Sequence, residues 1–366
     1  MAPAPEFDPA RVRSVFVRAP NWLGDFVMAT SAFERIRRGF PSARITAGMR
    51  PHLKGLLGGV GFFDGVVETP RARGPLGLWR QVSSLRRIGP EVAVVLPNSL
   101  ETGLVPFLAR VPWRLGYQQG RPGLLNLGVS FPVRRRWFQR RMGPRRWPRP
   151  MPHHYGVLLD RIGLPAVGFH PRLSVTDEER SWVDRHLAAL GIGPEDETVL
   201  FVVGANFGAS KLWMPERFAA AARHFERKGL RSLVVVGPAE VELGRQIARK
   251  AGVIGLTDPV LGLGHLKALV SRCSLMITGD TGPRHLAVAF DRPIVCLMGP
   301  NDPGYTAYCL DATTVIRKDL PCSPCQRKVC PLGHHRCMRD ITVEEVVRAG
   351  ESMLDRARRA RDREGI

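Results

Sequence analysis

The sequence predicts an α/β protein of two domains, each built around a parallel sheet. Short apolar segments rich in β-branched residues, typical of buried strands, alternate with stretches of helical periodicity. The alternation stops at an arginine-rich segment, residues 134–149, and a fresh series begins after residue 171. The 366 residues are enough for two domains of ordinary size. We therefore expect two Rossmann-like domains, with a boundary near residues 165–175.

The first series begins with a buried strand at residues 12–19 and a turn at 20–24. A helix follows from Asp25 to about Gly39, because Phe26, Phe33 and Ile36 recur at helical spacing. The remaining predicted elements of this half are strands at 44–49, 66–67 and 92–96 and helices at 76–87 and 100–109.

The second series continues the same alternation and ends in a long helix. It predicts an N-terminal domain at 1–170, a C-terminal domain at 171–342 and a C-terminal helix at 343–366. The predicted elements are strands at 198–203, 232–236, 275–277 and 294–298, and helices at 176–190, 215–228, 239–251, 263–271, 282–290 and 343–361.

The chain is strongly basic, with 54 Lys and Arg against 33 Asp and Glu and a net charge of +21. This excess favours a polyanionic partner: nucleic acid, an anionic membrane surface or a phosphorylated substrate. A genome that prefers arginine explains part of the excess but not its clustering. No apolar run approaches the roughly 20 residues of a spanning helix, and residues 1–9 lack a secretory core, which predicts a cytosolic protein. Seven cysteines in such a chain do not indicate a disulfide framework.

The most informative segment is residues 278–306, TGDTGPRHLAVAFDRPIVCLMGPNDPGYT. A strand leads through a turn of small residues into a helix, whose first amides and dipole suit a phosphate. The turn at 299–303 ends the next strand, where open α/β sheets bind ligands. We expect a nucleotide diphosphate site with Thr281 in the turn, Asp280 as helix N-cap and ligand of sugar hydroxyls, and His285 one turn on. A lone histidine is more often structural, so that alternative stays open.

Asp25 follows the first predicted strand in the motif at residues 19–25, APNWLGD. A carboxylate at this sheet edge can act as a general base, and Gly24 allows a ligand or another chain to approach closely. The alternative is a helix N-cap, which spacing alone favours.

The loop at 204–213, GANFGASKLW, places Lys211 after a buried strand. Its small residues can cradle phosphate while the lysine neutralises a leaving group, although it is not a Walker A loop. The alternative is a solvated surface lysine. Glu240 and Glu242 follow the strand at 232–236, where an acid can hold ribose hydroxyls. Two exposed carboxylates at a helix start explain them equally well.

Two further segments carry unusual residues. Cys322, Cys325, Cys330 and Cys337, with His334 and His335, are close enough in sequence to surround zinc or a cluster, although the spacing matches no common finger. The alternative is a set of cytosolic thiols in a tight loop. Residues 134–149 contain eight Arg, two Trp and no acid, which suits lipid phosphates, nucleic acid or simply a solvated loop.

With these motifs in order, the chain resembles the ADP-heptose:lipopolysaccharide heptosyltransferase family, most of all its type II members. The resemblance covers nearly the whole chain. It rests on PNWLGD at 20–25, LPNS at 96–99, the loop at 204–213, GDTGPRH at 279–285, GPNDP at 299–303 and the cysteine-rich residues 322–338.

The resemblance implies two Rossmann-like domains facing across a cleft, the GT-B architecture, with acceptor bound by the first and nucleotide sugar by the second. It implies inverting transfer, with Asp25 as the base and Lys211 stabilising the departing ADP. Glu242 would hold the ribose, with Glu240 as its rival. Other substrate-binding positions are expected at Asn206, Asp280, Thr281, Gly282 and His285.

The implied partners are ADP-heptose, a Kdo- and heptose-bearing lipid A acceptor and the cytoplasmic face of an anionic inner membrane. The resemblance implies no nucleic acid partner and no required cofactor or divalent metal, because helix N-termini and lysine can serve the pyrophosphate. It leaves open whether the cysteines bind a metal. The alternatives are a related transferase using another activated sugar and a basic nucleic-acid-binding protein.

Overall fold

The computed structural model describes residues 7–130, 133–134, 145–146, 148–204 and 207–364. The chain forms two compact units, each with a six-stranded parallel sheet. The predicted α/β class with two parallel-sheet domains is therefore confirmed. The first unit comprises Met1–Lys54, Val60–Arg172 and Gly304–Tyr308, and the second comprises Gly55–Gly59, Leu173–Pro303 and Cys309–Ile366.

The sheet of the first unit has the strand order β3-β2-β1-β4-β5-β6. The order reverses between β1 and β4, and parallel α/β sheets bind ligands at the carboxyl end of such a reversal. Val15 of the central strand pairs with Ile45 and Val92, and all three are buried. The strands are β1 Ser14–Arg18, β2 Arg44–Met49, β3 Gly65–Glu68, β4 Val92–Val95, β5 Trp113–Tyr117 and β6 Leu127–Val129.

Five helices accompany this sheet in the described residues. Val82 and Leu85 of the third helix are buried against sheet residues that include Phe16. The helices are α1 Leu23–Met28, α2 Thr30–Gly39, α3 Gly74–Ile88, α4 Leu100–Leu108 and α5 Met151–Asp160. In the arginine-rich segment, β7 (Val133–Arg134) pairs antiparallel with β8 (Arg145–Arg146), and residues 135–144 and 147 lie outside the described ranges.

The second unit repeats the plan with the order β11-β10-β9-β12-β13-β14. Its reversal lies between β9 and β12, so the loops that follow these two strands share one sheet edge. The strands are β9 Thr198–Val202, β10 Arg231–Val235, β11 Ile254–Leu256, β12 Leu275–Gly279, β13 Ile294–Leu297 and β14 Thr313–Ile316.

Seven helices surround the second sheet in the described residues. The last one packs closely because Gly350 has no side chain: a Cβ there would lie 2.7 Å from Cζ of Phe225. No helix in the described ranges is both long and apolar enough to cross a bilayer. The helices are α6 Asp177–Ala189, α7 Pro215–Arg227, α8 Val241–Ala251, α9 Leu263–Arg272, α10 Gly282–Ala289, α11 Arg336–Arg339 and α12 Val343–Glu364.

Some elements were not predicted from periodicity, and their residues explain why. β5 contains tryptophan, arginine and glycine rather than an apolar run, and β11 has only three residues. Such strands are stabilised by the ladder with a neighbour, which local sequence does not encode. The predicted helix from Asp25 to Gly39 is instead two helices that meet at Ala29. The unpredicted strands and helices are β5, β6, β7, β8, β11, β14, α5 and α11.

A buried ion pair lies in the second unit. The Lys267 side chain is completely buried, and its Nζ lies 3.1 Å from the Glu179 carboxylate and donates to the Gly58 carbonyl at 2.8 Å. Burial lowers the pKa of Lys267, and the bond to Glu179 opposes that shift. The same carboxylate accepts from the Thr176 amide in a capping box at the start of α6. A Cβ at Gly264 would lie 2.7 Å from Oε1 of Glu179, so this pair requires glycine beside it.

We expect Glu179→Ala to lower the free energy of unfolding by about 3–5 kcal/mol, because it leaves the Lys267 ammonium buried without its counter-ion. Urea denaturation measures this effect. Glu242→Ala is the matched control, since its pair with Arg249 is largely exposed and should contribute less than about 1 kcal/mol. Equal effects of the two substitutions would contradict the role assigned to the buried pair.

Candidate functional site

The carboxyl edge of the second sheet brings together two segments that are distant in sequence. Lys211 lies in a 3-10 turn, Ala209–Lys211, after β9, and Asp280 follows β12 directly. The Lys211 ammonium donates to the Asp280 carbonyl at 2.6 Å and lies 3.3 Å from its carboxylate. The adjacent strands also interact there, because the Thr278 hydroxyl donates to the Val202 carbonyl at 3.3 Å. The strand order therefore creates a contact that neither segment specifies alone.

Asp280 is the centre of a buried charge cluster. Besides Lys211, its carboxylate accepts from the Arg284 guanidinium at 3.1 Å and from the Asn301 amide at 2.6 Å. Burial acts to raise the pKa of Asp280, but the Lys211 and Arg284 charges outweigh it and lower the pKa to about 2. Asp280 is therefore ionised at neutral pH. The prediction that it caps the helix is wrong: Thr281 holds the N-cap position of α10, and the Asp280 oxygens are bonded to these donors instead.

His285 completes this cluster as a neutral side chain. It is 4% exposed on the first turns of α10. Burial and the Arg284 charge lower its pKa to about 3, a shift that Asp280 opposes and Lys211 reinforces. One carboxylate therefore faces two cations, which leaves a surplus positive charge. Together with Gly282 and the amides at the start of α10, this surplus suits an anion such as a phosphate.

The cysteine segment, residues 322–337, positions the Lys211 turn. The Ser210 amide donates to the Lys328 carbonyl at 3.0 Å, and the buried Ser210 hydroxyl donates to the Arg327 carbonyl. In the other direction, Nε2 of His335 donates to the Ser210 carbonyl at 2.8 Å. All three polar groups of Ser210 are thus bonded to the cysteine segment, one position before Lys211.

The Lys211 turn is also packed closely on both sides. The Lys211 ammonium lies 4.9 Å from the centre of the Phe207 ring, within the range of a cation–π interaction. Gly208 has a φ of 150°, and a Cβ there would lie 2.5 Å from the Lys328 carbonyl oxygen. Only glycine allows this approach of the two backbones. Asn206, predicted to contact substrate, lies outside the described residues.

The four cysteines of this segment differ in their surroundings. Hydrogen bonding from the His335 backbone and its neighbours lowers the pKa of Cys330, whereas burial raises the pKa of Cys337 to about 11. The charges of Cys325, Cys330 and Cys322 also raise the pKa of Cys337. The four thiols therefore lie close enough to interact electrostatically. All seven cysteines are free thiols. Within the part of the chain that the structure describes, no three His, Cys, Asp or Glu side chains are placed to hold a metal ion.

The two candidate ribose ligands are placed differently. Glu242 lies on α8 with 76% of its side chain exposed, and it pairs with Arg249 at 3.2 Å. Glu240 ends the 3-10 turn after β10, where a Cβ added to Gly204 would lie 2.7 Å from its carboxyl carbon. Gly204 itself follows β9, so Glu240 lies at the sheet edge that carries Lys211. The structure thus places Glu240 beside Gly204, whereas Glu242, the ribose ligand preferred from the resemblance, is exposed on α8; its role stays a prediction.

Asp25 lies at the corresponding edge of the first unit. It is half-buried in the first turn of α1, directly after β1. The interpretation of Asp25 as a helix N-cap is wrong, because α1 begins at Leu23 and Trp22 holds the N-cap position without a side-chain bond. Trp22 is 65% exposed beside it. The carboxylate is thus on a helical turn at the carboxyl end of the central strand.

Two arginines that were not predicted from the sequence lie at this first edge: Arg18, which is buried, and Arg50, which is half-buried. Arg18 ends β1 and donates to the Asn21 side chain at 2.8 Å, and Arg50 donates to the same oxygen at 3.0 Å. Burial and the Arg50 charge lower the pKa of Arg18 to about 10. A cleft of about 560 Å³ opens beside Arg18. Its other polar lining residues are Glu68, Thr69, Arg71, Arg73, Arg80, Gln81, Ser84 and Thr102.

Arg284 and Asn301 are further site residues without an assigned role in the sequence analysis. Both lie inside recognised motifs, and Arg284 is four residues after Asp280 on the chain, a spacing that places a cation beside a carboxylate at a helix start. The contact of Arg284 with Asp280 could have been predicted from that spacing. No local sequence pattern predicts the contact of Asn301 with Asp280, because that contact depends on the pairing of β12 with β13.

Two six-stranded parallel-sheet units define a GT-B glycosyltransferase fold. Residues 78–336 match glycosyltransferase family 9 (heptosyltransferase), and the chain belongs to this family of enzymes. It is 25% identical to lipopolysaccharide heptosyltransferase 2 of Salmonella typhimurium and 26% identical to that of Escherichia coli K12. Each similarity covers 93% of this chain and 98% of the relative.

The solved structure of E. coli ADP-heptose lps heptosyltransferase II has the same fold, with a TM-score of 0.75 at 24% sequence identity. That match covers 94% of this chain and 99% of the other. The similarity to whole chains, rather than to one unit, agrees with the two-sheet architecture.

Because the folded pKa of His285 is lowered to about 3, unfolding exposes a histidine that binds a proton below its ordinary pKa of about 6.5. Stability is therefore lost as the pH falls from about 6.5 towards 3, by up to about 1.4 kcal/mol per pH unit. We expect His285→Asn to flatten the decline in melting temperature between pH 6.5 and 4. At about pH 8 the histidine is neutral in the folded and unfolded states. The difference in melting temperature between the two proteins at that pH therefore measures only the cost of altered packing. Parallel pH profiles would contradict the prediction.

Proposed function

We propose that the chain is heptosyltransferase II, which moves L-glycero-D-manno-heptose from ADP-heptose to the heptose of the lipopolysaccharide inner core. The observation that carries the proposal is the surplus positive charge of Lys211 and Arg284 over Asp280 at the start of α10. A nucleoside diphosphate complements such a group. The full-length similarity to lipopolysaccharide heptosyltransferase 2 supports the choice of sugar and acceptor.

The second unit, assigned from sequence as residues 171–342, is proposed to bind the donor. An ammonium carries three donors, and Lys211 directs two contacts to Asp280, so a phosphate oxygen can be its third partner. The backbone amides of Thr281 and Gly282 are proposed to bind the diphosphate, with neutral His285 beside them. Asn206 remains a proposed substrate contact. For the ribose, the placement beside Gly204 makes Glu240 our preferred ligand.

The first unit, assigned as residues 1–170, is proposed to bind the acceptor. Asp25 removes the proton from an acceptor heptose hydroxyl, and the oxygen attacks the anomeric carbon of the donor. The bond from that carbon to ADP breaks as the new bond forms, which inverts its configuration. ADP leaves with the bonding electrons, and Lys211 and the dipole of α10 stabilise the charge that develops on it.

This chemistry is proposed to need no cofactor and no divalent metal, because Lys211, Arg284 and the α10 amides supply positive charge where a metal would act. The acceptor is proposed to be a Kdo- and heptose-bearing lipid A. Its phosphates and carboxylates complement the arginines that line the cleft beside Arg18. A lipid-borne acceptor and a net charge of +21 support peripheral association with the cytoplasmic face of the anionic inner membrane.

We expect Asp25→Ala to lower the rate of heptose transfer by about 10²–10⁴-fold, because the acceptor hydroxyl loses its proton acceptor, while ADP binding stays unchanged. Added mass on a heptose-primed lipid acceptor incubated with ADP-heptose measures the transfer. UDP- and GDP-sugars tested in parallel distinguish a related transferase.

Asp8→Ala is the control for Asp25→Ala, since Asp8 caps the turn before β1, at the opposite end of the same strand. It should transfer heptose at the wild-type rate. A near-normal rate in the Asp25→Ala variant would refute its assignment as the base.

Glu240→Gln should weaken ADP binding by about 10–100-fold, because a hydrogen bond to a charged group contributes about 1.5–3 kcal/mol. Glu242→Gln, the matched substitution two residues on, should leave the dissociation constant unchanged. Isothermal titration of ADP measures both variants. The reverse order of effects would restore Glu242 as the ribose ligand.

A further inference from the structure

The outward side of α3 in the first unit combines exposed apolar and basic residues. Leu76 and Trp79 lie one turn apart and are 63% and 54% exposed. Arg80 and Arg87 are exposed on the same stripe at helical spacing, and Val82 on the opposite side is buried in the core. No acidic residue occurs in α3. Packing against the core therefore explains the apolar residues on the inner side of α3, but not those on its outer side.

The apolar and basic surface continues from α3 onto α4. The Arg86 guanidinium lies 5.0 Å from the centre of the Trp79 ring and donates to the Leu108 carbonyl at 2.8 Å. Phe107, next to Leu108, is 43% exposed, and the Arg114 guanidinium lies 5.5 Å from its ring. We call this surface the docking face. It comprises Leu76, Trp79, Arg80, Arg86, Arg87, Leu100, Phe107 and Arg110.

The nearby carboxylates do not neutralise the docking face. Glu101, at the start of α4, accepts from the Ala72 amide at 3.2 Å and from the Gln81 side chain at 2.9 Å. Glu68 of β3 pairs with Lys54 at 2.7 Å. Among the described residues, no acid forms an ion pair with the exposed arginines of the docking face, and their charges complement an anionic surface.

We propose that the docking face binds an anionic phospholipid bilayer, with Trp79, Leu76 and Phe107 inserted at headgroup depth. Tryptophan prefers the membrane interface, and arginines beside it are attracted to acidic headgroups. A nucleic acid is less suited, because aliphatic and aromatic side chains project between the arginines and gain nothing from a phosphate backbone. The inference rests on the proposed function, since a lipid-borne acceptor explains why this unit meets a membrane.

The test is flotation of the full-length protein with vesicles of phosphatidylglycerol and phosphatidylethanolamine, compared with phosphatidylcholine vesicles. Wild-type protein should bind the anionic vesicles and lose binding at high salt. Trp79→Gln/Phe107→Gln should weaken binding at least about tenfold, because the inserted side chains are lost. Arg87→Gln/Arg110→Gln should weaken it by about fivefold for each arginine.

Matched controls come from the second unit. Arg245→Gln/Arg359→Gln removes the same net charge from exposed positions on α8 and α12, and Val329→Gln/Leu332→Gln removes two exposed apolar side chains. These variants should bind vesicles more tightly than their docking-face counterparts. Equal losses in the paired variants, or none in either, would overturn the proposal. Competition by duplex DNA that depends on Trp79 and Phe107 would also overturn it in favour of nucleic acid.

Transfer assays distinguish this proposal from the proposed function. Trp79→Gln/Phe107→Gln should slow transfer to an acceptor embedded in vesicles and leave transfer to a deacylated, water-soluble acceptor unchanged. Equal loss with both acceptors would overturn a role in membrane docking. Vesicle binding by the docking face without any heptose transfer by wild-type protein would refute the proposed function and leave the bilayer interaction standing.

Discussion

The ionised Asp280 carboxylate is the interaction on which the candidate site depends. A buried carboxylate is costly unless cations and donors surround it, and Lys211, Arg284 and Asn301 do so from three segments of the second unit. The Lys211 side chain is thereby bonded at the sheet edge, and the Arg284 side chain on the first turn of α10. Burial, reinforced by the Arg284 charge, lowers the pKa of the neighbouring His285 and keeps it neutral. The resulting surplus of positive charge is a consequence of stabilising one acid.

The cysteine segment is part of the same construction, although it lies more than one hundred residues from the Lys211 turn in the sequence. It binds Ser210 through its amide, hydroxyl and carbonyl, so the position of Lys211 depends on how residues 322–337 fold. His335 connects the two regions directly: its backbone lowers the pKa of Cys330 and its ring bonds to Ser210.

The basic excess of the chain is divided among different physical roles. Arg121 is buried and donates to the Tyr117 and Ser99 carbonyls, which makes it part of the scaffold of the first unit. Arg284 balances a buried acid, whereas Arg80 and Arg87 remain exposed on the docking face. Net charge alone indicated a polyanionic partner: nucleic acid, an anionic membrane surface or a phosphorylated substrate. The exposed apolar residues between the arginines of the docking face favour a membrane over nucleic acid. Only the packing of the fold decides that these apolar residues are exposed.

The sequence determined the fold class, most strands and helices, and the motifs around Asp25, Lys211 and Asp280, because apolar periodicity and turn chemistry are local. Tertiary structure decided which residues meet. It joined Lys211 to Asp280, placed Glu240 rather than Glu242 beside Gly204, and added Asn301 through strand pairing. It also placed residues other than Asp25 and Asp280 at the N-cap positions of α1 and α10, and it formed β5 and β11. These outcomes depend on strand order and on the balance between burial and charge, which combine residues far apart in the chain.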